Sequence, residues 1–369
     1  MKFSCAKKDL LEVILQVSKA IAIKPMTPVL TGIYLKVTGD ILEVQANNYS
    51  LGMSAQITVN AQDEGGEIVV IGKKFIEVVK AMPDDVILIA KNEKESYLEV
   101  SSGRSNYSIA TMNAEDFPKV LQRDAESHFK IQASVLKNLI RRTVFACSND
   151  EGHPLYTGCL FETDGDTITV ASTNMHRLSV AKDKLVDATD QLRFVVPAYA
   201  LRSISEMLPD DEEKFIKIDY TGKNVAFKIG EVFLTARIIE GNFPDYKRVI
   251  PASSTTFVEI LVEELRHAID RISIISKDSA DKKVSFDFSK DGLEICAASS
   301  DIGSGTEHVH IALEGPEISM SFNGGYFSDV LKILKSENCK IALNGAFDPV
   351  DIREGNSDDY IYVVTPVRP

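Results

Sequence analysis

Ser134-Val135-Leu136-Lys137 has the Ser-x-x-Lys spacing with which acyl-transfer enzymes set a nucleophilic hydroxyl beside a lysine. It falls inside an amphipathic helical pattern, and no Ser-Asp-Asn or Lys-Thr-Gly partner accompanies it. Gly303-Ser304-Gly305 lacks the third glycine and the preceding apolar strand of a phosphate cradle, so it reads as a loop. His308 and His310 could put two imidazoles on one strand face, but no carboxylate or cysteine completes a recognisable metal-ligand set. Asp164-Gly165-Asp166 and Asp210-Asp211 have the chemistry of turns. No nucleophile is matched with a base, so the expectation is no catalytic residue, no metal and no cofactor.

The basic residues carry more information. Lys137 and Arg141 are four apart on one helix with Arg142 beside them, and Lys73, Lys74 and Lys80 share another. Such faces are commonly just solvated; the functional alternative is phosphate contact without sequence reading. The net charge of −13 argues against a simple nucleic-acid coat, although a basic channel inside an acidic body gives the same sum. An apolar content of 44% and a charged content of 26% fit a globular protein of two or three domains. No apolar run reaches membrane-span length, and the first residues lack an apolar signal core, so neither membrane contact nor secretion is expected. The five scattered cysteines suit a reduced, cytoplasmic protein.

The elements that position these residues form a repeat. Asn242-Phe243-Pro244 echoes Asp116-Phe117-Pro118 at a spacing of 126 residues, and the same spacing relates Phe129 to Phe3 and Leu136 to Leu10. It also relates Val195-Val196-Pro197 to Val69-Val70-Ile71, and Pro209 to Pro83. A third copy opens at Thr256-Phe257-Val258 and continues through Ser321-Phe322-Asn323 with small slips. Each copy reads as an opening strand, an amphipathic helix, a hairpin, a strand feeding a second helix, and two closing strands. Expected helices run from Lys8 to Ala20 (apolar face Leu11, Ile14, Leu15), Lys73 to Ala81, Ala198 to Met207 and Tyr326 to Lys335. Two helices against antiparallel strands make each copy an α+β domain. The stretch 240–251 is a proline-marked joint that also offers apolar surface. These patterns leave open an enzyme with a site between repeats, or a scaffold that binds only proteins.

Specific motifs narrow the choice. Met1-Lys2-Phe3, Pro28-Val29-Leu30, Ser102-Gly103-Arg104-Ser105, Thr173-Asn174-Met175-His176-Arg177-Leu178, Phe243 to Pro251 and Tyr362 to Pro369 resemble the bacterial DNA polymerase III beta subunit, the replicative sliding clamp. The resemblance covers the whole chain. It implies three tandem clamp domains, over 1–120, 127–246 and 252–369, with helices inside, antiparallel sheets outside and a head-to-tail ring dimer. Twelve helices at roughly 9 Å spacing give a ring about 35 Å across at the helix axes. Removing about 10 Å for helix width leaves a hole of about 25 Å, enough for a duplex.

The resemblance implies a non-enzymatic processivity factor that encircles double-stranded DNA and tethers the polymerase alpha subunit, the clamp loader and other proteins carrying a clamp-binding motif. Lys24, Lys73, Lys74, Arg104, Lys137, Arg141 and Arg202 are then the candidates to line the hole. The partner-peptide pocket would draw on Leu155, on Thr173, Met175, His176, Arg177 and Leu178, and on Pro244, Arg248 and Val249. The chain end would add Val363, Val364, Thr365, Pro366, Val367 and Arg368, with Asn323 and Tyr326 at the rim and Arg177 and His176 as polar edges. Tyr107 and Ile109 would meet Ile274 and Ile275 of a second copy. Lys24 stands where the family has Arg, and Thr365 and Pro369 replace the commoner Met and Leu.

Overall fold

The computed structural model describes residues 1–369 apart from 24, 64, 84, 93–95, 123, 212, 278, 280, 281, 356, 368 and 369. Six α-helices lie among the described residues: α1 (Lys7–Val17), α2 (Gly72–Ala81), α3 (Ala133–Thr143), α4 (Ala198–Met207), α5 (Val262–Ser276) and α6 (Gly324–Leu331). They alternate with antiparallel strands in the order the repeat implies.

Several details depart from the sequence reading. Gly303-Ser304-Gly305, read as a loop, opens the strand Gly303–Val309 because it pairs with Gly292–Ser299, and Asp164-Gly165-Asp166, read as a turn, lies within the strand Gly158–Thr173, where the pairing register shifts between Gly165 and Thr167. Helix α1 buries Leu10, Val13, Ile14 and Val17, leaving Leu15 exposed. The apolar run from Leu10 to Leu15 offers two faces at helical spacing, and docking of the opening strand Lys2–Ala6, with Phe3 in the core, selects one. Helix α6 begins earlier than expected because Asn323 caps it, accepting from Gly325 N at 3.0 Å. Gly324 is needed there: a Cβ would meet Val284 Cγ2 at 2.9 Å and Ser273 Oγ at 3.0 Å.

The chain forms two compact units, Met1–Ala133 with Glu206–Ile238, and Ser134–Ser205 with Ile239–Pro369. The units follow sheets, not repeats, because strands pair across repeat boundaries. In the first unit the described strands order as Ser127–Gln132, Phe215–Tyr220, Asn224–Ile229, Val232–Arg237, Leu51–Thr58, Ile41–Asn47, Gly32–Thr38 and Gly66–Ile71. Ser105–Met112, Tyr97–Ser102, Val86–Asn92, Lys2–Ala6 and Asn60–Ala61 complete the series. Val232–Arg237 and Leu51–Thr58 make the crossing pair, with Ala236 opposite Leu51. The first Phe-Pro joint packs here: Phe117 stacks on Tyr34 with ring centroids 5.3 Å apart, among Val29, Leu30 and Val69.

In the second unit an eight-stranded sheet runs Arg193–Pro197, Gly158–Thr173, Arg177–Thr189, Tyr360–Val364, Val350–Glu354, Asn338–Leu343, Thr256–Leu261, Ala312–Glu314. Here Arg177–Thr189 and Tyr360–Val364 cross the boundary, with Arg177 opposite Val364. A four-stranded sheet, Gly303–Val309, Gly292–Ser299, Lys283–Ser289 and Ile318–Asn323, packs with α5 and α6 around Phe286, Phe288, Phe322 and Phe327. No described helix is long and apolar enough to cross a membrane.

Candidate functional site

Between the strands Gly158–Thr173 and Arg177–Thr189 the chain makes a tight polar turn. Met175 N donates to Thr173 Oγ1, and His176 N and Arg177 N donate to Asn174 Oδ1, each at 3.1 Å. These bonds hold Met175 at φ 74°, in the left-handed region, and leave its side chain exposed. Thr365 N and Oγ1 both donate to the His176 carbonyl, at 2.9 and 3.1 Å, so the C-terminal strand is fastened to the turn.

Behind the turn sits a core of Leu160, Ala171, Leu178, Val180, Val195, Ile361 and Val363, closed by Phe243 and Tyr246 from the second joint. The joint is secured by polar bonds at its margin. Tyr246 Oη donates to Glu162 Oε2 at 2.7 Å, and Arg193 reaches both Glu162 Oε1 at 2.9 Å and the Phe243 carbonyl at 3.1 Å. Burial and the Glu162 carboxylate push the Tyr246 phenol well above its usual pKa, so the hydroxyl stays a donor. Pro244 precedes a short 3-10 turn, Tyr246–Val249, that lifts the chain and leaves a cavity of about 200 Å³. Its lining is Tyr156, Thr173, Met175, Arg177, Leu178, Pro244, Asp245, Tyr246, Val249, Val363 and Thr365. Most of the lining is apolar, with the Thr173 and Thr365 hydroxyls and the Asp245 carboxylate among it, which suits an extended peptide that buries apolar side chains.

Seven of the expected pocket residues line this cavity directly: Thr173, Met175, Arg177, Leu178, Pro244, Val249 and Val363. Thr365 makes an eighth. Arg177 has a different role from the polar edge that its charge implied. It is only 8% exposed, and its guanidinium donates to Asp329 Oδ2 at 2.6 Å and to the Phe145 carbonyl. It also lies over the rings of Tyr326 at 4.6 Å and Phe145 at 5.3 Å. Burial disfavours its charge, but the neighbouring Tyr362 and Asp329 outweigh that and raise its pKa. Arg177 therefore braces the floor.

The remaining pocket candidates lie beside the cavity. His176 stacks on Tyr326 with centroids 6.5 Å apart, and Asn174 Nδ2 reaches the Tyr326 hydroxyl at 3.4 Å, so these three form one rim. Asn323 is committed to capping α6, and Val364 is buried in its strand. Leu155 packs on the core and against Gly241, where a Cβ would meet it at 3.1 Å. Arg248 pairs with Asp245 at 2.9 Å on the outer lip. Pro366 and Val367 are half-buried, Val367 N donating to the Ser321 carbonyl at 2.7 Å, and Arg368 lies outside the described residues. Sequence reasoning missed Tyr156, Asp245 and Tyr246 as lining and Asp329 as the partner of Arg177; the first three stand in or beside motifs already singled out.

Comparison with known proteins decides the family. Models of the DNA polymerase III beta subunit N-terminal, central and C-terminal domains match residues 1–121, 130–245 and 247–368. The chain belongs to the DNA polymerase III beta subunit family. The beta sliding clamps of Bacillus subtilis and Vibrio cholerae are 29% and 28% identical to it over the full length of both chains. The crystal structure of the B. subtilis DNA polymerase sliding clamp aligns with a TM-score of 0.95 at 28% identity, covering 100% of this chain and 99% of that one. A Pseudomonas aeruginosa sliding clamp bound to griselimycin aligns at 0.92 and 27% identity, covering both chains fully. The protein is thus a sliding clamp, a processivity factor of DNA replication whose partners are DNA and polymerase components in general.

The clamp's basic residues are spread over several helices. Lys73 and Lys74 are exposed on α2, Lys74 pairing with Glu77 at 2.7 Å. Lys137 and Arg141 are half-buried on α3, Arg141 donating to the Ile333 carbonyl at 3.3 Å. Arg202 is exposed on α4 and Arg104 is exposed in the turn after Ser102, while Lys24 lies outside the described residues. Tyr107 is 48% exposed and Ile274 66%, whereas Ile109 is buried where its strand packs with α2. Ile275 is half-buried beside Gly305, where a Cβ would meet its Cγ1 at 3.6 Å. Among the described residues, no three His, Cys, Asp or Glu side chains cluster as metal ligands.

Proposed function

We propose that two copies of the chain close head to tail into a ring around duplex DNA, and that the cavity at the second joint captures partner peptides. The observation that carries the ring is a pair of unused strand edges. Leu51–Thr58 and Arg177–Thr189 are equivalent strands of copies one and two, and each pairs antiparallel with the closing strand of the next copy. The third member is Gly303–Val309, at the edge of its sheet. The closing strand left over is Ser105–Met112, which pairs with Tyr97–Ser102 on one side. On its other side only Thr111 and Met112 have ladder partners among the described residues. A second copy satisfies both edges, and a head-to-tail two-fold ring leaves none open. Carrying over the register of the two existing joints sets Gly303 opposite Ala110 and Thr306 opposite Tyr107. Tyr107, Ile274 and Ile275 then form the seam, and Ile109 supports its strand from below.

The ring reading assigns clamp domains to 1–120, 127–246 and 252–369, with Lys73, Lys74, Arg104, Lys137, Arg141 and Arg202 facing the DNA. Glu77 beside Lys74, and the carbonyls that Arg141 and Arg202 reach, temper part of this charge, which suits a protein that must slide and not grip. The pocket would take peptide segments of the polymerase alpha subunit, the clamp loader and other clamp-binding proteins. The protein would work in the cytoplasm without a catalytic centre of its own. Sedimentation tests the closure. The expected mass is about 81 kDa, twice 40.7 kDa, falling to that of one chain in Ile274→Asp, an exposed position whose change leaves the fold intact. A monomeric wild type would overturn the ring.

A further inference from the structure

Two thiols of the second unit lie in contact. Cys147 and Cys159 are 12 residues apart in sequence, yet their Sγ atoms are 3.5 Å apart, in side chains only 5% and 0% exposed. The fold brings them there. Cys147 follows the 3-10 turn Val144–Ala146, and Cys159 sits at the start of the strand Gly158–Thr173, opposite Val196. The segment between them is folded back on itself. Ser148 N donates to the Tyr156 carbonyl at 2.8 Å, and Tyr156 N to the His153 carbonyl at 3.0 Å.

That segment carries Leu155, which packs on the core behind the peptide cavity, and Tyr156, which lines it. Two residues before Cys147, the Phe145 carbonyl accepts from Arg177, and the Phe145 ring stacks on Tyr362 with centroids 5.8 Å apart. A shift of either sulfur is therefore carried into the cavity lining.

We propose that Cys147 and Cys159 are an oxidisable pair that closes to an intramolecular disulfide with hydrogen peroxide as oxidant, and that closure weakens peptide capture. The second part rests on the pocket reading above. Burial excludes a bulky disulfide reagent but admits an oxidant the size of water. The Cys147 sulfur, the less buried of the two, loses its proton and attacks one peroxide oxygen. The O–O bond breaks, the sulfur becomes a sulfenic acid, and the other oxygen leaves as water with that proton. The Cys159 sulfur then attacks the sulfenic sulfur; the S–O bond breaks and the hydroxyl leaves as a second water with the Cys159 proton. Two thiols have lost two electrons, and one peroxide has gained them. Burial and the neighbouring Cys147 push the Cys159 thiol well above its usual range, so it keeps its proton until that step. Bonding draws the sulfurs from 3.5 Å to about 2.05 Å. The pull on Cys147 displaces Phe145 and slackens its hold on Arg177.

The test reduces the full-length protein, exposes it to hydrogen peroxide, then denatures and alkylates it for mass spectrometry. The expected result is five alkylated cysteines before peroxide and three after it, with residues 147 and 159 in one cross-linked digest fragment. Dithiothreitol should restore five. Cys147→Ser should form no disulfide, whereas Cys296→Ser, outside the pair, should still form it. By fluorescence anisotropy, the oxidised protein should bind a peptide ending in Leu-Phe at least about threefold more weakly than the reduced protein, and peroxide should not change binding by Cys147→Ser. Five alkylated cysteines after peroxide, a bond through another cysteine, a link between two chains, or a sulfinic acid in place of the disulfide would each overturn the pair. A complete disulfide with unchanged peptide affinity would overturn its control of the pocket. If the reduced protein binds no peptide, the pocket reading fails, while the alkylation count still decides the pair.

Discussion

At the first joint, Gln45 and Asn47 reach across and take the chain by its backbone. Val120 N donates to Gln45 Oε1 at 2.7 Å, and Asn47 Nδ2 donates to the Pro118 carbonyl at 2.8 Å. At the second joint the corresponding residues are Ala171 and Thr173, and neither reaches across: Ala171 is core, and Thr173 Oγ1 donates to the Arg177 carbonyl inside its own turn. Gly52 lets Val120 lie flat, since a Cβ there would meet Val120 Cγ2 at 2.9 Å; Leu178 fills the equivalent place and lifts the chain. One joint is sealed with polar bonds and the other is propped open over an apolar floor. The same backbone thus yields a closed seam or an open cavity through a few side chains, because a groove holds an apolar guest only where its own chain does not fill it.

The margins differ in the same way. Glu67 links the Tyr34 hydroxyl to Lys119 at the first joint, whereas Arg193 links Glu162 to the Phe243 carbonyl at the second. Sequence positions 67 and 193 are one repeat apart, so the sign of the bridging charge has been exchanged while the function of fastening the joint is kept.

The largest effect should come from removing the aromatic that anchors each joint. Phe117→Ala and Phe243→Ala should each cost about 3–5 kcal/mol in denaturant unfolding. Only Phe243→Ala should also abolish anisotropy binding of a peptide ending in Leu-Phe. Equal loss of that binding in both variants would break the distinction between seam and pocket. A smaller effect, about 1–3 kcal/mol, is expected for Gly52→Leu, which forces Val120 and Thr235 apart. Wild-type stability of that variant, read from the same unfolding curves, would mean that the first joint is not held down by close packing.

The smallest effect concerns acid. Hydrogen bonds from Tyr34 and Lys119 lower the Glu67 pKa in the folded state. The stabilisation is therefore complete above the ordinary carboxylate pKa and is lost as pH falls through the lowered folded value. Glu67→Gln should flatten that part of the melting-temperature profile at acid pH; an unchanged profile would show that the bridge adds nothing.

The repeat was legible from sequence because helix stops at Pro83 and Pro209 and the two Phe-Pro joints keep their spacing without gaps. Much of the cavity's lining was legible too, since its walls are contiguous motifs at 173–178 and 243–251. Arg177 was misread because its partner, Asp329, is supplied by α6, 152 residues away. A charge in a motif reads as a polar edge until tertiary packing shows that it is buried. The stripe on α1 was misplaced because consecutive apolar residues satisfy two helical faces equally well. The turn at 47–51, the first joint's counterpart of Thr173 to Arg177, was missed because its side chains differ, although its backbone bonding is the same.

The central claim is that the third joint closes between two copies around DNA. Retention of the protein on nicked circular DNA, followed by gel filtration before and after the circle is linearised, tests it directly. A ring stays with the circle and escapes from the linear form. Equal retention on both would contradict the account.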